Sequence, residues 1–523
     1  MDSVEKLFQD LPSPDAERAF LDKQGEWDVL CFQRVFQSFS PSTSNDPDRE
    51  AVARWVQILE RSSSFATLRS EIGQFALDMP IIPDDGSAKS LQLKYHAWIS
   101  QGRKDHDYPF EQKDCSSGQQ DDLLKDSDGF LPAKLTDPKI CANCAKPNAK
   151  TWCGGCLLVQ DSHVILKTPY CNKDCQTQHW KEHKPYCLAK KKIIRAVSLI
   201  YDLFIMFEKK AWFSKQVVGI TERQGTTNII HSEPCEWEVQ GKPFVRHFPS
   251  VQAPSEQHFL AALLDSECQQ LLTTFDGLVD LLLLPACKDL SEVQMVPRNA
   301  YRPTCDMRRG GVHNTMYNHH TVLCITLKSD EKVVVDIGGA QFGWREVIAP
   351  WDIWTNQRVA GTPVHQDYGY AKECLNMDHG FVVAQYIQAS DAQRLSLAQK
   401  MELAVETKMT ELNLSSALNL YKLDNDDFAS CKQAILSCAE EALDNGLRKL
   451  HESKLGRCYI NSNGHWQATT TKEQAEALKR VWLSEEDVRK AKERGRNLMM
   501  MYRLRCRNPV TRQKLLAAGL SIY

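Results

Sequence analysis

Apolar positions along this chain fall into helical faces at both ends and into one β-like block between them. Near the start, Phe20-Leu21, Trp27, Leu30-Cys31 and Val35-Phe36 recur at helical spacing. A polar gap over 40–49 separates them from a second helical stretch at 51–77, where Val52, Trp55, Val56 and Leu59 share one face. Residues 1–82 therefore read as a helical N-terminal region. Residues 83–138 read as a polar linker: they hold Pro83-Asp84-Asp85-Gly86-Ser87 and an acidic, serine-rich run at 114–122, with little apolar surface to bury. The stretch 91–99 is the one short element expected inside it. A long helix is predicted at about 188–212, its face formed by Ile193-Ile194, Val197, Ile200-Tyr201, Phe204 and Phe207, and another at about 256–284. At about 320–348 the pattern changes. The runs 321–327 and 333–337 are rich in β-branched residues, and Lys328-Ser329-Asp330-Glu331 lies between them, which predicts a β-hairpin at about 320–337. From 390 to 523 the chain reads as helical again, interrupted at Gly464 and at 469–471, with a basic helix at about 485–507. The expected fold class is α+β, mostly helical, with an α+β domain at 191–389 and a helical C-terminal region after it.

Composition narrows the function classes. The 523 residues are 42% hydrophobic and 25% charged, with a net charge of −3. That length suggests roughly two to four domains. A dedicated nucleic-acid binder is normally basic, so nucleic acid is an unexpected partner here. The longest apolar stretch, 281–286, is broken by Pro285 and is too short to span a bilayer, and the opening Met1-Asp2-Ser3-Val4-Glu5 lacks a secretory pattern. No lipidation signal is recognised at the end. The expectation is a cytoplasmic or nuclear protein.

Cysteine usage changes the picture most. Of 19 cysteines, seven lie between Cys141 and Cys187. They read Cys141-x₂-Cys144, Cys153-x₂-Cys156, Cys171-x₃-Cys175 and, with a histidine, His183-x₃-Cys187. Clustering at short fixed spacings points to metal rather than disulfides. Zinc favours four tetrahedral sulfur or nitrogen ligands, so eight ligands imply two ions with every position filled and none left for catalytic water. The other twelve cysteines are scattered and read as buried small hydrophobes.

The stretch Tyr170-Cys171-x₃-Cys175-Gln176-x₃-Trp180-x₂-His183-Lys184-x₂-Cys187 resembles the second half of a MYND-type zinc finger, and C-x₂-C-x₈-C-x₂-C fits the first half. The resemblance implies interleaved pairs: one zinc on Cys141, Cys144, Cys171 and Cys175, the other on Cys153, Cys156, His183 and Cys187. The gap from Cys156 to Cys171 is longer than the family's usual one and contains Val164-Ile165-Leu166, which suggests an enlarged hairpin loop. His163 and His179 read as surface or supporting histidines, not ligands. MYND fingers serve in protein–protein interaction, and several take proline-rich peptides. The resemblance therefore implies a protein partner, an adaptor or regulatory role, and a peptide groove in which Gln176 and Trp180 occupy contact positions and Gly154 lies nearby. An extended proline-rich peptide suits such a groove, since it loses little entropy on docking. Trp180 packing the finger's own core is the competing reading. Lys190-Lys191-Lys192 and Arg195 follow the last ligand and read as a solvated helix face before they read as a nuclear signal.

An enzyme is the alternative. His320 opens a strand and Asp336 ends the return strand, which resembles the His-and-Asp half of a transglutaminase-like or papain-like thiol site. The missing nucleophile would come from Cys268 or Cys287, while Cys305 stands too close in sequence to His320. A plain hairpin with a histidine at one end and a turn-capping aspartate at the other is the competing reading. A divergent lysine methyltransferase is disfavoured: the nearest match to its Asn-His-Ser-Cys motif is Asn318-His319-His320-Thr321, and no Gly-x-Gly segment precedes the finger. The run Gly338-Gly339-Ala340-Gln341-Phe342-Gly343-Trp344, with Pro350-Trp351, resembles segments of fungal MYND-finger proteins of no known activity. It is not a phosphate loop, since no helix start or Lys-Ser/Thr follows.

Overall fold

The computed structural model describes residues 65–109, 140–213, 217–231, 245–308, 311–372 and 385–452, apart from short breaks at 87, 148, 157, 161–162 and 167, together with a strand pair at 458–460 and 466–468. The helices expected before residue 65 and the basic helix at about 485–507 lie outside the described residues. Helices α1 (Phe65–Asp78) and α2 (Ala88–Ser100) come first. The cysteine cluster contributes β1 (Thr151–Trp152), β2 (Leu158–Gln160), β3 (His163–Leu166) and β4 (Pro169–Tyr170), and α3 (Lys173–Lys210) leads out of it. Then come β5 (Trp212–Phe213), β6 (Val217–Arg223), β7 (Thr226–His231), β8 (Val245–Arg246), α4 (Glu256–Leu263) and the single turn α5 (Gln270–Thr273). An irregular helical run over 276–286 precedes β9 (Cys287–Pro297), β10 (Thr304–Arg308), β11 (Gly311–Asn314), β12 (His320–Leu327), β13 (Lys332–Val335), β14 (Ile348–Pro350), α6 (Trp351–Arg358) and β15 (Val359–Asp367). Long helices α7 (Gln385–Glu411) and α8 (Asn425–Glu452) follow. The class is α+β.

The expected hairpin forms the middle of a five-stranded antiparallel sheet in the order β14-β13-β12-β9-β15. Side chains alternate across a strand, so β12 and β13 sort by parity. Leu323, Ile325, Leu327, Val333 and Val335 enter one core with α3, α7 and α8. Val322, Cys324 and Val334 enter a second core on the opposite face, with Met295, Trp344, Trp354, Tyr95 and Ile99. A strand covered on both faces is apolar on both, which is why Val322 to Ile325 run together without alternation between Thr321 and Thr326. A second sheet, β11-β10-β7-β6, is antiparallel except for the parallel β10–β7 pair.

Several elements differ from the sequence reading. The short element expected at 91–99 within the polar linker is the packed helix α2, longer than expected: Leu93, Tyr95 and Ile99 are buried, and the last two belong to the second core. Its buried residues Leu93, Tyr95, Ala97 and Ile99 are spread around the helix rather than along one face, and the polar average over 83–138 hides so short a packed element. The helix expected at about 188–212 begins at Lys173, so the last three zinc-ligand positions and the core face Ile193 to Phe207 lie on one continuous element. The helix expected at about 256–284 is broken, with a left-handed residue at Ser266 (φ 63°) and a turn before α5. Arg195 is buried rather than solvated. Its guanidinium donates to the carbonyls of Tyr421, Leu423 and Asp424 and to Asn425 Oδ1, and so ties α3 to the turn that starts α8. Lys190 is held by Glu331 at 2.7 Å.

The helices of the first core are also joined by a buried charge pair. Arg394 on α7 meets Glu208 on α3 at 2.6 Å and Glu267 at 3.4 Å, with Arg394 and Glu208 both almost fully shielded. Burial pushes the Glu208 carboxyl up, and Arg394 pulls it back. Removing one partner strands the other charge in apolar surroundings. Arg394→Ala should therefore cost about 3–5 kcal/mol in urea unfolding. Arg394→Met combined with Glu208→Leu should recover most of that loss.

Candidate metal centre

The first ligand pair sits on a tight turn. Ala145 takes a left-handed conformation (φ 56°), its amide donates to the Cys141 carbonyl, and the Cys141 amide donates to Lys146. The turn aims Cys141 and Cys144 the same way. Strands β1 and β4 pair antiparallel, Thr151 opposite Tyr170, and β4 delivers the chain to Cys171. Asn172 caps α3, its Oδ1 accepting from the Cys175 amide at 3.0 Å. That cap places Cys171 just before the helix and Cys175 in its first turn. The sulfurs of Cys144 and Cys171 lie 3.5 Å apart, those of Cys144 and Cys175 lie 4.0 Å apart, and the Cys171 amide points at Cys141 Sγ from 3.4 Å.

The second group is fully buried. His183 and Cys187 are four residues apart on α3 and so share a face. Cys153 and Cys156 reach them from the opposite side through a Gly154-Gly155 turn. Cys153 and Cys187 sulfurs are 3.7 Å apart, and His183 Nε2 is 3.5 Å from Cys156 Sγ. The Thr168 hydroxyl, at 3.5 Å, can donate to Cys156 Sγ. A methyl group at Gly155 would come within 2.9 Å of Cys187 Sγ, so a side chain there collides with the ligand set.

These separations suit zinc. Four sulfurs about 2.3 Å from one ion lie about 3.8 Å from each other, the edge of the tetrahedron. All four donor atoms of each group lie within 4.8 Å of one another. As thiols they are in conflict. The bond from Cys187 pulls Cys156 down to about 4, and the same bond pushes Cys187 far up. A divalent cation removes that conflict by accepting every sulfur as thiolate. The pairs interleave, first with third and second with fourth, as the resemblance implied. The family model for the MYND finger matches residues 141–187. Residues 141–187 form a MYND finger. No curated protein and no solved structure matches the chain.

Around the MYND finger, His179 is a supporting residue as expected: its Nδ1 meets the Tyr170 hydroxyl at 3.0 Å. The long gap between Cys156 and Cys171 does hold an extra hairpin, β2–β3, and β3 lies beside the sheet-edge strand β14. The side chain of His163 is outside the described residues. Trp180 is 42% exposed, so it does not serve mainly as finger core, and Gln176 one turn earlier is half-buried.

Away from the finger, His320 and Asp336 are brought together. His320 Nε2 lies 2.8 Å from Asp336 Oδ1, with both side chains fully shielded. Of the candidate thiols, Cys287 is buried and donates to the Leu283 carbonyl at 3.1 Å. Cys305 is buried beside Gln74 and Met307. Cys268 is half-buried, against the expectation of an enclosed thiol, and it acts on the His320 ring. Burial disfavours the charged ring, but the Asp336 carboxylate outweighs it and, with a smaller push from Cys268, holds His320 up at about 10.

Two outcomes follow for the finger. Chelating zinc should abolish hydrogen-exchange protection over 141–187 while leaving 193–207 protected, because the second half of α3 is held by the apolar core. Gly155→Ala should lower bound zinc from two ions to about one per chain, read by metal analysis of the purified protein, because only the second site is crowded.

Proposed function

We propose that this protein is an adaptor whose MYND finger recruits a protein partner through a short extended segment, with a proline-rich peptide as the favoured ligand. Both zinc groups are closed by protein ligands, so they offer stability and shape rather than an open position for chemistry. The observation that carries the reading is Trp180, a large aromatic left 42% exposed one helical turn after Gln176. Leaving an indole in water has a cost unless something else covers it, and tryptophan is over-represented among residues that dominate binding energy. Ile140, Tyr186 and Leu188 also stand out in solvent, so four of the eleven strongly exposed large hydrophobics among the described residues belong to the finger and its edge. An extended proline-rich segment packs prolines on such an aromatic and offers carbonyls to a side-chain amide, the part Gln176 would play.

The finger does not hang on a loose tether. Helix α3 carries its ligands and then enters the core, so a captured partner would sit at a fixed place relative to the five-stranded sheet. That suits an adaptor that presents one protein to another surface.

The test compares the wild type with Trp180→Ala after confirming that both hold two zinc ions. The variant should lose a defined co-purifying partner, and its affinity for a proline-rich peptide should fall about 30-fold, the effect of a central aromatic anchor. Equal partner sets for the two proteins would make the finger a structural brace only.

A further inference from the structure

We propose that Cys268, His320 and Asp336 form a thiol acyl-transfer site, separate from the zinc finger, in which Cys268 is the nucleophile, His320 the base and Asp336 the residue that positions the ring. The reading rests on how three distant segments are shaped to meet.

Strand parity places two of the three. His320 and Asp336 carry even numbers on β12 and at the end of β13, so both point to the face of Phe342 and Trp344. Leu323 pairs with Val335, so one step further Asp336 lies opposite Val322 and diagonal to His320. The ring is walled by Phe342 at 4.8 Å and Trp344 at 6.0 Å, both edge-on. With Nε2 on Asp336, only Nδ1 remains, and it is buried with no hydrogen bond. Buried nitrogens left in this way are one of the places where catalytic groups are found. Besides Asp336, Cys268 is the titratable neighbour that raises the ring.

The Gly338-Gly339 pair explains how the thiol arrives. A Cβ on Gly338 would press on the Cα and Cβ of Cys268 at 3.2 Å. A Cβ on Gly339 would come within 2.7 Å of Asp336 Oδ2. One glycine makes room for the cysteine turn and the next for the carboxylate. Gln341 then fastens the two segments, its Oε1 accepting from the Ser266 amide at 3.2 Å and its Nε2 donating to the Gly338 carbonyl at 3.0 Å. Ser266, two residues before the thiol, holds a left-handed backbone that L-residues rarely adopt. A strained turn held by a neighbouring segment is a common feature of reactive sites. Glu267 beside the thiol is further anchored by Arg394.

Access and grouping agree with this role. Cys268 is half-buried on a turn whose neighbours Ser266 and Gln269 are exposed, while His320 and Asp336 lie behind it. The three donors do not converge on a point, since among the described residues only the two finger groups do so. They form a relay of thiol, ring and carboxylate, not a chelate.

The substrate class is an acyl donor: an ester, thioester or amide carbonyl. With His320 held charged by Asp336, the proton shared by thiol and ring sits on Nδ1, and Cys268 Sγ attacks the carbonyl carbon as the thiolate. The new S–C bond forms, the bond from carbonyl carbon to leaving group breaks, and His320 returns the proton to the leaving group. Water then attacks the thioester, giving its proton to His320. Collapse releases the carboxylic acid and restores the thiolate.

The experiment treats the full-length, zinc-loaded chain with p-nitrophenyl acetate and maps acetylated cysteines by peptide mass. Cys431 and Cys438 serve as internal references, being free and half-buried like Cys268. Cys268 should acetylate about 100-fold faster than either, the scale of a positioned base, and should turn over to release acetate. Cys268→Ser should abolish the fast phase. His320→Gln should bring Cys268 down to the reference rate, and Asp336→Asn should lower the ratio while the references stay constant. Because the ratio is read within one wild-type molecule, a variant that fails to fold does not blunt the test. Acetylation of Cys268 no faster than Cys431 and Cys438 in the wild type overturns the proposal.

Discussion

One helix joins the metal chemistry to the core of this protein. Its first half carries Cys175, His183 and Cys187 and is otherwise polar and charged, with Pro185 in its interior. An interior proline removes a helical hydrogen bond and costs about 3 kcal/mol or more, so this half has little reason to be helical unaided. The second half buries Ile193, Ala196, Leu199, Ile200, Leu203, Phe204 and Phe207, and needs no metal. Zinc binding worth about 10–16 kcal/mol per site is enough to carry helicity through the proline. The finger is thus held at both ends, by its ions and by the core that its last ligand helix enters.

That continuity places the finger against the sheet that matters elsewhere. Its extra hairpin lies beside β14, the edge of the sheet whose middle strands carry His320 and, just past β13, Asp336. Buried charge does similar work inside the body: Arg394 links α7, α3 and the residue next to Cys268, and Arg195 links α3 to the start of α8. Both arginines sit where helices converge from distant parts of the chain.

The metal site was legible because its geometry is set by spacing. Two residues between cysteines make a turn that aims both sulfurs at one ion, and three residues between His183 and Cys187 put them on one helix face. His320 and Asp336 were legible for the same kind of reason, since strand parity alone puts them together. Cys268 could be named but not placed, because its turn is fixed by contacts with Gly338 and Gln341, about 70 residues away in sequence. The glycine pair looked like an unexplained motif for that reason: its need is spatial and leaves no local pattern. Helix α2 was legible only as a short element at 91–99, and Arg195 was hidden by the lysines before it, since a charge run reads as solvated until its partners are known. Strands β6, β7, β10 and β11 are short and partly polar, which gives no periodicity to read.

The central claim is that seven cysteines and one histidine close two structural zinc sites and leave no ligand position open. Zinc-edge X-ray absorption on the purified full-length chain tests it most directly. Seven sulfurs and one imidazole shared between two ions predict an average shell of sulfur with half a nitrogen per zinc, at about 2.3 Å and about 2.0 Å, in a sample holding two zincs per chain. A water-like oxygen in the shell, or a single zinc per chain, would contradict the account.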